Sequence, residues 1–375
     1  MRKGIQREVA LLAGIASVGA FLAGRKNLSA ALAGSALAFR FLPLSPNYSY
    51  RDKVVLITGG SRGFGLALAE NLARQGAKLW LLARDNAELG RAHEQLLKIP
   101  QANVNTLVTD VTEPADLDRA FRAAMERHGR IDMLINNAGA VAAAPLESTD
   151  HEDYEAQLEL HLYAVISATR MIVPYFRKGG GGRIVNISSL GGKMPLPHMS
   201  SYATSKFALA GYSASAATEL RADNILVTTA YPGLMRTGSP IQGVFKGDAE
   251  REFGWFLAGD IMPFLSIGAA RAASTVLEAA RRGDSSVVVS IAARAGAFMF
   301  QQFPEIYTSF AALAAGFLPQ KQSSGHRTGA NSKGMLEKSF LGRRLLSRNE
   351  KYARRWNQWE KFDAGKNLNL RESRE

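Results

Sequence analysis

The chain has 375 residues, 46% of them hydrophobic, with 46 Lys and Arg against 33 Asp and Glu and a net charge of +13. That length holds one α/β domain with about a hundred residues to spare. The absence of cysteine excludes disulfides, thiol nucleophiles and Cys-type metal sites, and the six histidines show no metal spacing, so no metal is expected.

Residues 9–24 carry no charge; Arg2, Lys3 and Arg7 precede them, and Arg25 and Lys26 follow. A second apolar run, Leu28 to Leu44, is interrupted only by Arg40. The first run falls short of the roughly 20 residues that span a bilayer comfortably. Three readings stand: membrane association as a short span, a hairpin or an interfacial segment; a helical pair packed on the protein itself; or a cleaved targeting segment. Pro43 and Pro46 close this apolar N-terminal segment, taken as residues 1–48.

From Lys53 the pattern alternates. Strands are expected at 53–58, 77–83, 103–109, 131–136, 183–188, 224–230 and 286–290, and helices near 63–75, 85–98, 114–128, 150–177, 200–222 and 267–282. Continuous apolar strands between amphipathic helices give the fold class: α/β, a doubly wound parallel sheet with helices on both faces, over residues 49–290. Residues 233–265 read as irregular and rich in Phe, Trp, Leu and Met. After 291 the alternation stops. The C-terminal extension, 291–375, is first apolar and aromatic (295–318), then Ser/Gly/Lys-rich and expected to be flexible (320–334). From Lys321 onward 14 Lys and Arg stand against 6 Asp and Glu, so +8 of the +13 lies there. Tyr352, Trp356, Trp359 and Phe362 interleave with basic residues at near-helical spacing. That fits a membrane-surface helix, or a helix docked on the protein itself; nucleic acid is not expected as a partner, because the fold supplies no dedicated groove.

The chemistry concentrates in four places. Thr58-Gly59-Gly60-Ser61-Arg62-Gly63-Phe64-Gly65 links an apolar strand to a helix. Glycines there admit left-handed backbone and remove the Cβ atoms that block a pyrophosphate, while the helix start offers unpaired N–H groups and the positive dipole end. This is how α/β proteins hold a dinucleotide. Asn136-Asn137-Ala138-Gly139 ends the fourth strand, Ser188-Ser189 follows the fifth, and Tyr202-x-x-x-Lys206 places a phenol and an ammonium on one helix face. A phenol titrates near pH 10, and a neighbouring cation pulls it toward neutral pH for proton transfer.

In this order, and with Pro232-Gly233-x-x-x-Thr237 beyond them, these motifs resemble the short-chain dehydrogenase/reductase superfamily over roughly residues 50–290, in its single-domain branch with a Rossmann-type sheet. The resemblance implies hydride transfer between a nicotinamide and an alcohol or ketone. Tyr202 would be the general acid/base, Lys206 would also hold the nicotinamide ribose, and Ser189 would hold the substrate oxygen, with Ser188 as the near alternative. Thr58, Gly59, Ser61, Arg62, Gly63, Phe64 and Gly65 would cradle the cofactor. Asp110 and Val111 would meet the adenine; Asn137, Ala138 and Gly139 would form site backbone; Pro232, Gly233 and Thr237 would approach the nicotinamide carboxamide.

His161 departs from the family, which usually has Asn there to hold a relay water. An imidazole holds a water or relays protons itself, or it is a satisfied buried histidine. The cofactor expected is NADP rather than NAD. The second strand ends at Ala83, where NAD enzymes place an acid, Arg84 follows, and Arg62 lies inside the glycine loop; two guanidinium groups suit a 2′-phosphate. Asp85 serves as the acid only if that register slips by two. Val244, Phe245, Phe253, Trp255, Phe256, Leu257, Met262 and Phe264 form an apolar lid, which suits a steroid-, retinoid- or lipid-like substrate or else packs on itself or on a second copy of the chain. The expected setting is a membrane-associated enzyme with its catalytic domain in the cytoplasm, or a soluble cytoplasmic one. The alternative function is a non-catalytic dinucleotide-binding scaffold or sensor at a membrane, for which His161 is the only support.

Overall fold

A computed structural model of the chain describes residues 3–41, 48–262, 265–320 and 325–358. Seven parallel strands form the central sheet: β1 (Val54–Thr58), β2 (Lys78–Ala83), β3 (Asn103–Val108), β4 (Met133–Asn136), β5 (Gly182–Ile187), β6 (Ile225–Tyr231) and β7 (Ser286–Val288). Their spatial order is β7-β6-β5-β4-β1-β2-β3. The helices are α1 (Lys3–Leu22), α2 (Lys26–Phe41), α3 (Gly63–Arg74), α4 (Asn86–Leu97), α5 (Pro114–His128), α6 (His151–Leu158) and α7 (Ala164–Lys178). They continue with α8 (Ser200–Glu219), α9 (Ala249–Ile261), α10 (Ala269–Arg282), α11 (Ile291–Gln302), α12 (Pro304–Ala315), α13 (Gly334–Glu337) and α14 (Phe340–Arg355).

The sheet is apolar on both faces because both faces are covered. Val55, Ile57, Leu79 and Leu81 pack with Leu66, Leu72, Leu89 and Val276 of α3, α4 and α10. Val54, Leu56, Leu82 and Leu134 pack with Leu117, Phe121, Ile172 and Phe176 of α5 and α7. Burying each such Leu, Ile or Phe contributes about 1.5–3 kcal/mol. Strand order reverses at β1, which pairs with β2 on one side and β4 on the other. Ligands bind at the carboxyl ends of strands beside such a reversal. The register pairs Ile57 with Ile135, Asn136 with Asn186 and Ile187 with Ala230, so the glycine loop, the Asn-Asn-Ala-Gly turn and Ser188-Ser189 leave the sheet along one edge.

Several sequence expectations need correction. The helix expected at 150–177 is α6 and α7 joined by a π turn at Glu159–Tyr163. Residues 233–265 are not irregular: they hold α9 and the short strands Met235–Arg236 and Val244–Phe245. Residues 325–334 are not loose, because Arg327–Thr328 pairs antiparallel with Val244–Phe245; residues 321–324 lie outside the described residues. The C-terminal helix α14 docks on the protein itself, burying Asn349, Ala353 and then Trp356, while Trp359 and Phe362 lie outside the described residues.

At the other end, α1 and α2 form a hairpin in which Ser17 Oγ donates to Ser29 O at 2.9 Å. Leu11, Leu12, Ile15, Val18, Phe21 and Leu22 remain exposed on it. No described helix is long and apolar enough to cross a membrane, which removes the short-span reading. A second helical pair, α11–α12, exposes Phe298, Phe303, Ile306, Phe310 and Leu313.

Candidate active site

The glycine loop is tied to β4 before any ligand arrives. Thr58 Oγ1 accepts the N–H groups of Asn137 (2.9 Å) and Ala138 (3.1 Å), and Asn137 Nδ2 donates to Thr58 O and Gly59 O at 3.0 and 3.1 Å. Gly59 has φ 62°, and a Cβ there would stand 2.9 Å from Ala138 Cα; a Cβ on Gly65 would collide with Gly59 O. Both positions therefore need glycine for the close approach of two backbone segments. At the start of α3, Gly63 N–H donates to Trp356 O at 2.8 Å. Among the described residues the amides of Phe64 and Gly65 have no partner, and they are the N–H groups a helix start offers to a phosphate.

The sequence-expected catalytic residues come together around α8. Lys206 is 4% exposed, donates from Nζ to Ile187 O at 3.2 Å and stands 5.6 Å from the Tyr202 ring centroid. Burial pushes its ammonium down to about 7. Burial raises the Tyr202 phenol, and a side-chain hydrogen bond with Ser189 lowers it; burial wins. Ser189 Oγ also accepts Gly191 N–H at 3.1 Å, which fixes the start of the following loop. Ser188 is buried and spends its hydroxyl on Lys206 O at 3.0 Å, which leaves Ser189 as the serine beside Tyr202.

His161 sits on the π turn, 1% exposed and edge-on to Tyr202 at 5.6 Å between centroids. Its Nε2 accepts Ala140 N–H at 3.2 Å and its Nδ1 lies 2.9 Å from Ser205 Oγ. Ser205 donates to Tyr202 O at 2.8 Å, so the network assigns the imidazole proton to Nδ1. Burial, then the Lys206 charge, holds this histidine well below its ordinary range. It is a neutral side chain with both nitrogens committed inside the protein. Ser205 carried no signal in the sequence beyond its place in the Tyr-Lys turn.

The residues expected at the adenosine end are less uniformly placed. Arg84 Nη1 lies 4.0 Å from Asp110 Oδ2 with its side chain 61% exposed. Asp110 Oδ1 accepts Thr112 N–H and Thr112 Oγ1, and Val111 is buried beside it. Arg62 is engaged: its Nη1 bonds Glu88 Oε1 at 3.0 Å, and Ser61 Oγ bonds Glu88 Oε2 at 3.0 Å. β2 ends at Ala83, and Asp85 two residues on accepts Glu88 N–H at 2.8 Å as the cap of α4. Gly139 lies against His161, and Thr237, 2% exposed, accepts Ser239 N–H at 3.2 Å; Leu190 N–H donates to Pro232 O at 2.7 Å and Gly233 faces Ser290. Phe245, Phe253 and Leu257 of the expected lid pack on one another and on Leu336, with Phe256 against them, whereas Trp255 and Met262 stay exposed; Phe264 lies outside the described residues.

A glycine cradle at a sheet reversal, facing a serine, a tyrosine and a buried lysine, belongs to dinucleotide-dependent oxidoreductases. The family model for short chain dehydrogenase matches residues 53–242. A 3-ketodihydrosphingosine reductase of Bacteroides thetaiotaomicron is 35% identical over 189 residues, half of this chain and 66% of that protein's length. Among solved structures, a short-chain dehydrogenase/reductase of Burkholderia phymatum in complex with NAD has 25% identity and a TM-score of 0.61, over 69% of this chain and 96% of the other. The L-sorbose reductase of Gluconobacter frateurii, complexed with NADPH and L-sorbose, has 28% identity and a TM-score of 0.58, over 66% and 98%. The chain belongs to the short-chain dehydrogenase/reductase family and is an NAD(P)-dependent dehydrogenase or reductase.

Proposed function

We propose that the protein transfers hydride between NADP(H) and an apolar, lipid-like alcohol or ketone, with Tyr202 as general acid/base. The observation that carries the reaction is the convergence of Ser189, Tyr202 and the buried Lys206 at the strand edge that ends in the glycine loop. The unpartnered amides of Phe64 and Gly65 and the glycine-only approach at Gly59 fit a pyrophosphate. Bound dinucleotide supplies or accepts the hydride. Ser189 holds the substrate oxygen. In reduction, the Tyr202 phenol gives its proton to that oxygen, and the Lys206 ammonium stabilises the phenolate left behind; oxidation reverses both transfers. A phenol raised by burial enters reduction already in its protonated, acidic role.

NADP is favoured by the residues at the end of β2, which would meet the adenosine ribose. Ala83 offers no carboxylate, Asp85 is spent on capping α4, and Arg84 keeps an exposed guanidinium. The engagement of Arg62 with Glu88 leaves Arg84 as the main partner for a 2′-phosphate. An apolar substrate is favoured by α11–α12, an apolar helical pair that meets the loop following Ser189, where Gly296 lies against Met194 and Tyr307 donates its hydroxyl to Pro195 O. The Bacteroides relative is named for a keto sphingosine, in the same direction. The exposed α1–α2 hairpin supports association with a lipid surface without crossing it.

The test is a screen of ketones and alcohols with purified protein, read at the nicotinamide absorbance. Tyr202→Phe should lower turnover about 10²–10⁴-fold with dinucleotide binding intact; activity within tenfold of the parent overturns the assignment. Arg84→Asp should weaken NADPH far more than NADH, since it exchanges a charge-assisted bond for repulsion. Equal effects would show that Arg84 does not read the phosphate.

A further inference from the structure

The chain beyond α14 returns to the glycine loop. Asn357 is 8% exposed and has φ 55°, a left-handed conformation that asparagine tolerates. Its Nδ2 donates to Ser61 O at 2.8 Å and to Glu88 O at 2.9 Å, and its Oδ1 accepts Arg91 Nε at 2.9 Å. The neighbours repeat the pattern: Trp356 O takes Gly63 N–H, and Gln358 O accepts Gln242 Nε2 at 3.2 Å from beyond Thr237. One amide thus joins the middle of the glycine loop to the first turn of α4, at the residue whose carboxylate holds Ser61 and Arg62.

We infer that Asn357 is a positioning residue of the dinucleotide site, fixing the glycine loop in its receiving shape through Ser61 and Glu88. The inference rests on reading residues 58–65 as the dinucleotide loop. A loop with four glycines has much freedom to lose when a ligand orders it, and a strap that orders it beforehand removes that cost from binding. The strap also selects donors. By occupying Gly63 N–H with Trp356 O it leaves Phe64 and Gly65 as the amides that face a phosphate.

The experiment measures dissociation constants of NADPH and NADH for the full chain, its Asn357→Gly and Asn357→Asp variants, and Arg91→Met. Glycine accepts the left-handed backbone while removing the amide, and aspartate keeps the acceptor for Arg91 while losing both donors. Both should weaken the two dinucleotides alike, by about tenfold or more, as expected for two lost hydrogen bonds. Arg91→Met, which removes one bond of Asn357 but keeps both of its Nδ2 bonds to Ser61 O and Glu88 O, should weaken both by less. The loss should appear in the KM for dinucleotide rather than in kcat, as for an interaction made equally in ground and transition states. Variants that bind within twofold of the parent, even with a lowered melting temperature, overturn the inference and leave a purely structural strap. Tighter binding overturns it as well, because the strap would then compete with the dinucleotide. A parent chain that binds neither dinucleotide overturns the reading of the loop, and the inference with it.

Discussion

Lys206, proposed above as part of the catalytic set, is held at a cost to the fold. Its ammonium titrates near 7 in the folded protein against 10.5 for an ordinary lysine, because burial disfavours the charged form. Between these two values the unfolded chain binds more protons than the folded one, so stability of the cofactor-free protein rises with pH across that window. Below pH 7 the penalty is present in full, and it fades as pH approaches 10.5. Every tenfold weakening of proton binding on folding costs about 1.4 kcal/mol. Lys206→Met should therefore raise the melting temperature at pH 7 while abolishing turnover. The gain over the parent should shrink as melting is repeated toward pH 10. A variant that melts no higher than the parent at pH 7 would show that the buried ammonium costs the fold nothing. Ser189 and Ser188 carry a related lesson. Their spacing to Tyr202 singled out Ser189, and burial of Ser188 against Lys206 O gives the physical reason the two neighbours differ.

At the scale of elements, what was legible depended on range. β1 to β7 are continuous apolar runs, a local pattern, and all seven lie where the sequence placed strands. The π turn at Glu159–Tyr163 was not legible, since one inserted residue hardly disturbs the apolar rhythm of a long helix. Nor was α9, because its aromatic residues face partners from Val244–Phe245 and α13 that only the folded chain brings near. Arg327–Thr328 and Asn357 gave no local sign at all; each is defined by partners far away in sequence. The π turn sets His161 between Ala140 and Ser205, a placement that leaves neither ring nitrogen for a relay water. His161→Asn is shorter and admits a water between those partners. It should keep activity within about tenfold and lower stability by about 1–3 kcal/mol through the lost buried bonds. A hundredfold loss of activity with the circular dichroism unchanged would make His161 itself a proton carrier.

The whole molecule is a covered sheet with apolar helical pairs at its periphery. Leu11, Leu12, Ile15, Val18, Phe21 and Leu22 are exposed together on α1, and burying each in an acyl boundary is worth about 1.5–3 kcal/mol. Removing residues 1–45 should release the protein from phosphatidylcholine vesicles in a flotation assay. Dinucleotide binding should survive, because the cut lies ahead of Tyr50, which is 2% exposed and donates its hydroxyl to Leu277 O at 2.7 Å. A full-length chain that fails to float with vesicles would remove the lipid surface from its partners. The return of Asn357 to Ser61 also sets a schedule for biosynthesis. The two residues are 296 positions apart. At about 5–20 residues per second, the glycine loop leaves the ribosome roughly 15–60 seconds before its clamp does. Every strand of the central sheet, the last at Ser286–Val288, is therefore made before the clamp, so the added dinucleotide affinity inferred for Asn357 comes only after the sheet's own sequence is complete.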